Sequence, residues 1–196
     1  MDIEQQKQAY LALCRGNITR DGLEDLLVWL QKSDFFEAPA STRFHGSYPG
    51  GLCEHSLDVY GMALKGAEAF DLKNLSPESL AVAALFHDLC KVNFYRQDVR
   101  NQKIGGQWQE VPCYSIHEKY CFGGHGSKSV FLVQQFMKLK TDEAAAINCH
   151  MGFSQGSDSI RDVGNAFEAY PLAWLIHVAD EAASYLLDRY DHTPRG

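Results

Sequence analysis

The chain has 196 residues, a net charge of −7 and an ordinary composition, with 45% hydrophobic and 22% charged residues. This composition excludes a disordered or collagen-like chain, and the length suits a single domain of roughly 100 to 200 residues. The longest apolar run, Leu80 to Phe86, is far shorter than the ~20 residues of a spanning helix. Because the N-terminus is polar and acidic, unlike a secretory signal, we expect a cytoplasmic protein without a membrane span.

The six cysteines and the acidic charge narrow the function classes. No C-x-x-C pair is present, which argues against a zinc ribbon or a redox dithiol, and we expect reduced, mostly packed thiols. A net negative surface disfavours long nucleic acid, because its binding depends on phosphate neutralisation. A small anionic substrate is compatible with this charge if positive groups are gathered locally.

Apolar residues recur at spacings of three and four along most of the chain, which predicts an all-α fold. The predicted helices cover Ile3 to Cys14, Thr19 to Phe35, Leu52 to Phe70, Pro77 to Leu89, His125 to Lys138, Thr141 to His150 and Pro171 to Arg189. Thr19 or Asp21 is expected to cap the second helix, and Ser76 to cap the fourth. Two segments rich in helix breakers or small polar residues, Ala38 to Gly51 and Gly152 to Asn165, are expected to be loops.

The segment from Lys91 to Gly124 interrupts the helical pattern. Two extended-looking runs, Tyr95 to Ile104 and Gln107 to Ser115, flank a Gly-Gly pair and predict an inserted β-hairpin. An insertion of this length is typical of a lid or a binding element. We expect one domain over 1–196, with N-terminal helices in 1–37, a core in 44–190 and the hairpin insertion in 92–122.

Six polar residues fall on helix faces that should be buried, or at the ends of such faces. They are His55, His87, Asp88, His125, His150 and Asp180. A buried ionised carboxylate must be paired or bind a metal, and imidazole and carboxylate are ligands of zinc, manganese, iron, cobalt and nickel. Six such groups exceed one tetrahedral site, whereas two ions bridged by a carboxylate would use them all. Such a centre suits hydrolysis or transfer at phosphorus.

The order His55, His87-Asp88, Asp180 resembles the H…HD…D pattern of the HD-domain metal-dependent phosphohydrolase superfamily. The segment 84–91, Ala-Leu-Phe-His-Asp-Leu-Cys-Lys, is similar to the apolar-HD-x-x-K helix end of that family, with Cys90 where glycine is usual. His125, within Gly-His-Gly, and His150 resemble the third and fourth histidines of six-ligand members such as the HD-GYP phosphodiesterases. The loop 44–57 is similar to the start of the HD domain in HD-type 3′-5′ exoribonucleases, although the sequence given contains no OB module. It also lacks the Gly-Tyr-Pro motif of the cyclic-di-GMP enzymes.

The resemblance implies an all-α HD-domain core that carries two divalent ions, which could be manganese, nickel, cobalt, iron or zinc. The ligands of the first ion would be His55, His87, Asp88 and Asp180, and those of the second would be the bridging Asp88 with His125 and His150. A metal-activated hydroxide would be the nucleophile. Asp88, Lys91 and His55 would then be the catalytic residues, with Lys91 contacting substrate phosphate.

The hairpin insertion is the expected source of substrate choice. Six cations between positions 91 and 128 stand against three carboxylates in an otherwise acidic chain, which favours an anionic substrate. The candidate substrate-binding residues are Arg43, His45, Lys91, Arg96, Lys128 and Trp108. The aromatic residues available to stack on a base are Tyr95, Trp108, Tyr114 and Phe122. A solvated charged face with ordinary hairpin aromatics is the competing interpretation.

These observations predict a phosphohydrolase or phosphodiesterase that acts on a nucleotide or a short oligonucleotide. The alternative is an HD-type di-iron oxygenase acting on a small polar or phosphorylated substrate, because such enzymes use the same six-ligand arrangement. His177 is expected to support the site from behind, whereas His117 and His192 are expected at the surface. The sequence leaves the oligomeric state open.

Overall fold

The computed structural model describes residues 2–118, 123–155 and 160–187. Eight α-helices and one pair of strands organise this part of the chain. In order they are α1 (Ile3–Asn17), α2 (Leu23–Lys32), α3 (Gly51–Ala69), α4 (Pro77–Phe86), β1 (Tyr95–Ile104), β2 (Gln107–Ile116), α5 (Gly124–Gln134), α6 (Thr141–Cys149), α7 (Ile160–Ala169) and α8 (Pro171–Ala182). The prediction of a helical fold with an inserted hairpin is confirmed in outline.

Local chemistry explains where several helices begin. Asp2 and Gln5 form a reciprocal capping box at the start of α1, in which the Gln5 backbone N–H donates to the Asp2 carboxylate over 2.8 Å. Ser76 caps α4 as predicted, and Pro77 occupies the first turn, where its missing N–H costs nothing. Pro171 has the same position in α8. These starts were readable from the sequence because each depends only on neighbouring residues.

The predicted start of α2 is wrong. The helix begins at Leu23 behind Gly22, which has a positive φ of 88°, and not behind Thr19 or Asp21. A Cβ at position 22 would collide with the carbonyl oxygen of Phe136, so a close approach between distant segments decides this boundary. The backbone N–H of Thr19 instead donates to Glu78 over 2.9 Å.

Four helices end well before the predicted residue. Helix α2 ends at Lys32, and α5 ends at Gln134. Helix α4 ends at Phe86, and a short 3₁₀ turn, Leu89–Lys91, follows the His87-Asp88 pair. The last helix is α-helical only to Ala182 and continues as a π turn over Ala183–Leu187, and its predicted end at Arg189 lies outside the described residues. His87 and Asp88 therefore lie between the end of α4 and this 3₁₀ turn.

The predicted loop Gly152 to Asn165 is wrong in its second half. A 3₁₀ turn covers Gly152–Gln155 and α7 begins at Ile160, while residues 156–159 lie outside the described part. Val163 is buried and Phe167 packs against the core, so the helix has a narrow apolar stripe. Gly164 in the middle of this helix and the polar residues before it are typical of a loop, which is why the sequence pattern did not predict the helix.

The hairpin has the predicted strands, with β2 one residue longer than expected. Tyr95 pairs with Ile116 at its base and Ile104 with Gln107 at its tip, where Gly105 and Gly106 both have positive φ. Two consecutive positive φ values form the tight turn that matches the twist of two strands. Nearly every residue of β1 is exposed, so the hairpin projects from the helical body.

One hydrophobic cluster runs from the N-terminal helices to the last one. Helices α3, α4, α6 and α8 pack on one another, and α1 joins them through the Tyr10 hydroxyl, which donates to the Leu85 carbonyl over 2.8 Å. Within the residues described, no helix is long and apolar enough to cross a membrane. The packed helix ends bring the six polar residues singled out in the sequence together.

Candidate metal centre

The six polar residues singled out in the sequence come from five different helices and converge on one place. His55 lies in α3, His125 in the first turn of α5, and Asp180 in α8. His87 and His150 are the residues that end α4 and α6, and Asp88 follows His87. Five of the six are buried, and His125 is half-buried. Charged and polar groups are thus concentrated where an apolar core would otherwise continue.

The two carboxylate oxygens of Asp88 face two different groups of side chains. Oδ2 lies 3.3 Å from Nε2 of His87 and 3.7 Å from Nε2 of His55. Oδ1 lies 3.5 Å from Nε2 of His150. Asp180 joins the first group, with Oδ1 3.0 Å from Nε2 of His55. A carboxylate shared in this way has the arrangement of a bridging ligand between two cations.

Backbone carbonyls orient two of the histidines in the same way. Nδ1 of His87 lies 2.8 Å from the Ala84 carbonyl oxygen, and Nδ1 of His150 lies 2.7 Å from that of Ile147. A carbonyl can only accept, so each Nδ1 carries the proton and donates it. Each Nε2 then presents its lone pair to the site, which is the usual arrangement of metal-binding histidine.

The donor set fits a cation. Nε2 of His87 and Nε2 of His150 are buried and have no well-aligned hydrogen-bond partner within the described chain. Buried polar atoms almost always have a hydrogen-bond partner or a metal ion bound, so these two nitrogens are candidate metal ligands. Three groups of side chains place one donor atom each within 4.8 Å of one another: His55, His87 and Asp88; His87, His150 and Asp180; and Asp88, Cys90 and His125. Imidazole and carboxylate donors suit zinc, manganese, iron, cobalt or nickel.

Charge balance in the site depends on Lys91. Its Nζ lies 2.6 Å from Oδ2 of Asp88, and both side chains are buried. Burial alone would raise the pKa of Asp88, but opposing effects, of which the positive charge of Lys91 is the largest, hold that pKa well below its usual range. Burial also opposes the charged form of Lys91, and the Asp88 carboxylate outweighs it and raises the lysine pKa. Asp88 is therefore ionised at neutral pH.

His125 and His45 are neutral at physiological pH. Burial lowers the pKa of His125 to about 4, and burial together with the charge of Lys91 lowers that of His45 to about 4. Neutral imidazole is the form that binds metal. His125 lies beside Cys90, with 3.3 Å between Nδ1 and Sγ, and the ring centroid of His45 lies 4.9 Å from that of His55.

A cleft of about 520 Å³ opens onto these residues. Its polar lining residues include Asp88, Lys91, His125, Asp180 and His45. Its aromatic wall consists of Phe44, Phe94, Tyr95 and Tyr185. Pockets of this volume take small-molecule ligands, with a few placed polar groups in a largely apolar lining.

The predicted substrate-binding residues divide between the cleft and other places. His45 and Lys91 line the cleft. Arg43 lines a neighbouring cavity of about 780 Å³, between the loop before α3 and the hairpin, together with Arg100 and Tyr114. Within the described chain neither Arg96 nor Trp108 lines either cavity, and Trp108 is 71% exposed near the hairpin tip.

Lys128 is buried behind the cleft rather than in its lining. Its Nζ donates to Glu118 over 3.0 Å and lies 5.3 Å from the centre of the Phe94 ring. Phe122, one of the candidate stacking residues, lies outside the described residues, as does His192. His117 is exposed, as expected.

His177 contacts the backbone of His150 and does not line the cleft, in keeping with the expected supporting role. Its Nδ1 donates to the His150 carbonyl over 2.8 Å, and its ring stacks on Phe167 with 5.3 Å between centroids. Sequence reasoning missed Cys90 as a neighbour of the ligand set, although its place directly after His-Asp-Leu was the available signal. It also missed the aromatic residues Phe44 and Tyr185, whose positions depend on how loops and helix ends fold over the cleft.

Comparisons with known proteins place this site in a family. The family model described as the HD domain matches residues 52–184, which contain all six converging residues. The chain is 31% identical over 101 residues to a dihydroneopterin 2′,3′-cyclic phosphate phosphodiesterase of Methanocaldococcus jannaschii, covering 50% of this chain and 39% of that protein. It is also 31% identical over 110 residues to ribonuclease Y of Mycoplasmoides gallisepticum, covering 56% of this chain and 16% of that protein.

The matches span well under two thirds of the length of either relative. No solved structure matches the chain significantly. The family match nevertheless covers most of the chain and coincides with the residues that the fold brings together. The chain belongs to the HD domain family.

Proposed function

We propose that the chain is a metal-dependent phosphohydrolase or phosphodiesterase that acts on a nucleotide or a short oligonucleotide. The observation that carries the proposal is the position of Asp88, whose two oxygens face separate histidine groups in the lining of an open cleft. Two divalent cations held by these residues would supply Lewis acidity for the attacking and the leaving oxygen of a displacement at phosphorus.

The proposed ligands follow from the two groups around Asp88. His55, His87, Asp88 and Asp180 would hold one ion, and Asp88, His125 and His150 would hold the other. When bound, divalent ions supply Lewis acidity and bring the pKa of a coordinated water towards neutrality. The donor types admit manganese, nickel, cobalt, iron or zinc.

Lys91 and His45 are the proposed contacts for the substrate phosphate. Both line the cleft next to the ligand set, and Lys91 carries a positive charge that burial leaves poorly screened. His45 is neutral, so its ring can donate one hydrogen bond to a phosphate oxygen. Lys91 would thus exchange part of its interaction with Asp88 for one with the substrate.

The cleft lining supports a nucleotide as substrate. The rings of Phe44, Tyr95 and Tyr185 line it and offer faces on which a base can stack. One curated relative is named for a cyclic phosphate of a pterin and the other for RNA, and both names describe cleavage of a phosphodiester. The cavity beside Arg43 and Arg100 would take a second phosphate or nucleoside of a short oligonucleotide.

The domain boundaries stay a prediction. We infer that 1–196 form one domain in which 1–37 cover the core, 44–190 carry the site and 92–122 form the insertion. The support is the continuous hydrophobic cluster, which joins Tyr10 in α1 to Ala183 after α8. The acidic net charge supports a small anionic partner over long nucleic acid.

The test is metal reconstitution followed by a substrate panel under nitrogen. Metal-free protein receives each of the five metals in turn, and 2′,3′-cyclic nucleotides, nucleoside phosphates and dinucleotides are assayed. We expect anaerobic turnover with at least one metal, and Asp88→Asn should abolish both metal binding and turnover. Oxygen-dependent consumption of substrate by the iron form, without anaerobic hydrolysis, would overturn the proposal in favour of a di-iron oxygenase.

A further inference from the structure

Cys90 is a buried thiol inside the ligand set. Its side chain has no solvent exposure, and its backbone N–H donates to Ser129 over 3.0 Å, which holds this residue against α5. Its Sγ lies 3.3 Å from Nδ1 of His125 and 3.9 Å from Oδ1 of Asp88. The sulfur therefore faces the Asp88 oxygen that belongs to the second group of ligands.

A second observation points to a cation at this place. Nε2 of His150 is fully buried, has no aligned hydrogen-bond partner in the described chain, and lies 3.5 Å from the same oxygen, Oδ1 of Asp88. Donors that share a zinc ion at its usual bond lengths in a tetrahedron lie about 3.3–3.6 Å apart. The contacts of Oδ1 with His150 and of Cys90 with His125 fall in or next to this range.

We propose that Cys90 is a thiolate ligand of the second metal ion, together with Asp88, His125 and His150. This inference rests on the proposed function, because it assumes the metal centre. On binding, a metal–sulfur bond forms, the S–H bond breaks, and the proton leaves to solvent. Since thiolate is a soft donor, the second position should favour zinc, cobalt or iron over manganese.

The other thiols of the described chain offer a matched comparison. Cys149 is buried like Cys90 and also adjoins a candidate ligand in the chain, but its Sγ faces the Asn148 amide over 3.9 Å. It belongs to none of the three donor groups. Cys149→Ser is therefore the control for Cys90→Ser, because both remove a buried thiol beside the site and only one removes a proposed ligand.

The experiment is cobalt(II) reconstitution of the metal-free full chain, followed by absorption spectroscopy. We expect visible d–d bands together with a sulfur-to-cobalt charge-transfer band in the near ultraviolet. Cys90→Ser should keep bound cobalt but lose the charge-transfer band, whereas Cys149→Ser should keep both. In competition titrations, Cys90→Ser should lose at least about tenfold in zinc affinity with little change for manganese.

The outcomes separate this inference from the function that it rests on. Cobalt binding with d–d bands but no charge-transfer band in the unsubstituted protein would overturn the role of Cys90 and leave the metal centre standing. No cobalt binding at all would overturn the proposed metal centre itself. If Cys90→Ser does not fold, Cys90→Ala and the spectrum of the unsubstituted protein decide between the same results.

Discussion

Nζ of Lys91 lies 2.6 Å from Oδ2 of Asp88, the carboxylate oxygen that also faces His55 and His87. A lysine in this position competes with a cation for the same oxygen, while its charge also keeps Asp88 ionised. Under the proposed function, this contact would couple metal affinity and substrate binding to the charge state of Asp88.

Replacing Lys91 should separate metal binding from turnover. Lys91→Met removes a positive charge from a poorly screened place, so we expect the metal to bind at least about tenfold more tightly. The value of kcat/KM should fall on the order of 100-fold, because a cation aimed at the reacting phosphate is lost. Calorimetric titration and steady-state kinetics measure the two effects.

Lys65→Met is the control, because Lys65 is exposed on α3. It should change neither quantity. Weaker metal binding by Lys91→Met would show that Lys91 supports the ligand set instead of opposing the cation.

The two groups around Asp88 should differ in metal stoichiometry when they are altered. Nε2 of His150 approaches Oδ1 of Asp88, at 3.5 Å, so we expect His150→Gln to lose one of two equivalents. Asp88→Asn affects both groups and should lose both. Metal analysis by mass spectrometry counts the ions, and circular dichroism checks that the helices remain. Equal losses in the two variants would contradict a bridging role for Asp88.

The tip of the hairpin should contact only oligonucleotide substrates, whereas its base should contact mononucleotides as well. Trp108 pairs with Lys103, eight residues from Tyr95, which places it about 27 Å along the strand from the cleft. We expect Trp108→Ala to leave KM unchanged for a mononucleotide and to raise it for an oligonucleotide. Tyr95→Ala should raise KM for both by about tenfold or more, because one stacking contact is lost.

The two variants control each other, since each removes one aromatic ring from the same hairpin. Melting temperatures should stay close to that of the unsubstituted chain. A rise in the mononucleotide KM of Trp108→Ala would mean that the hairpin folds over the cleft during catalysis.

A buried ion pair should stabilise the fold away from the site. Arg20 donates two hydrogen bonds to Glu143, at 2.7 and 2.8 Å, and the Glu143 side chain is fully buried. Glu143→Gln leaves Arg20 with Glu78 and a neutral amide as partners, so we expect a loss of about 2 kcal/mol in the free energy of unfolding. Urea denaturation measures it. The exposed pair of Arg15 and Glu24 is the control, and Glu24→Gln should change the free energy of unfolding far less than Glu143→Gln does.

The same pair predicts a pH dependence. Burial alone would raise the pKa of Glu143, but hydrogen bonds from Arg20 and from the Lys140 backbone outweigh it and lower that pKa in the folded state. The stabilisation is then fully present above the unfolded pKa, about 4.3, and is lost as pH falls through the lower folded pKa. The stability difference between the unsubstituted chain and Glu143→Gln should shrink below about pH 4.3. A constant difference down to pH 2 would contradict this.

Features set by neighbouring residues were predictable from the sequence. The hairpin turn at Gly105 and Gly106, the cap at Ser76 and the helix start at Pro171 each depend on a few adjacent residues, and all three are confirmed. The convergence of His55, His87, Asp88, His150 and Asp180 was also predictable, because polar groups on apolar helix faces must meet a partner.

Tertiary structure alone decided what depends on contacts between distant segments. The start of α2 depends on the close approach of the Phe136 carbonyl to Gly22. Lys128 is buried with its Nζ bonded to Glu118 and close to the Phe94 ring. The two oxygens of Asp88 face different histidines, and Cys90 approaches His125, only because α4, α5 and α6 pack together. A sequence alone does not give these distances. The sequence by itself therefore determined which polar residues fall on buried helix faces, whereas their pairing, spacing and exposure follow from how the helix ends pack together.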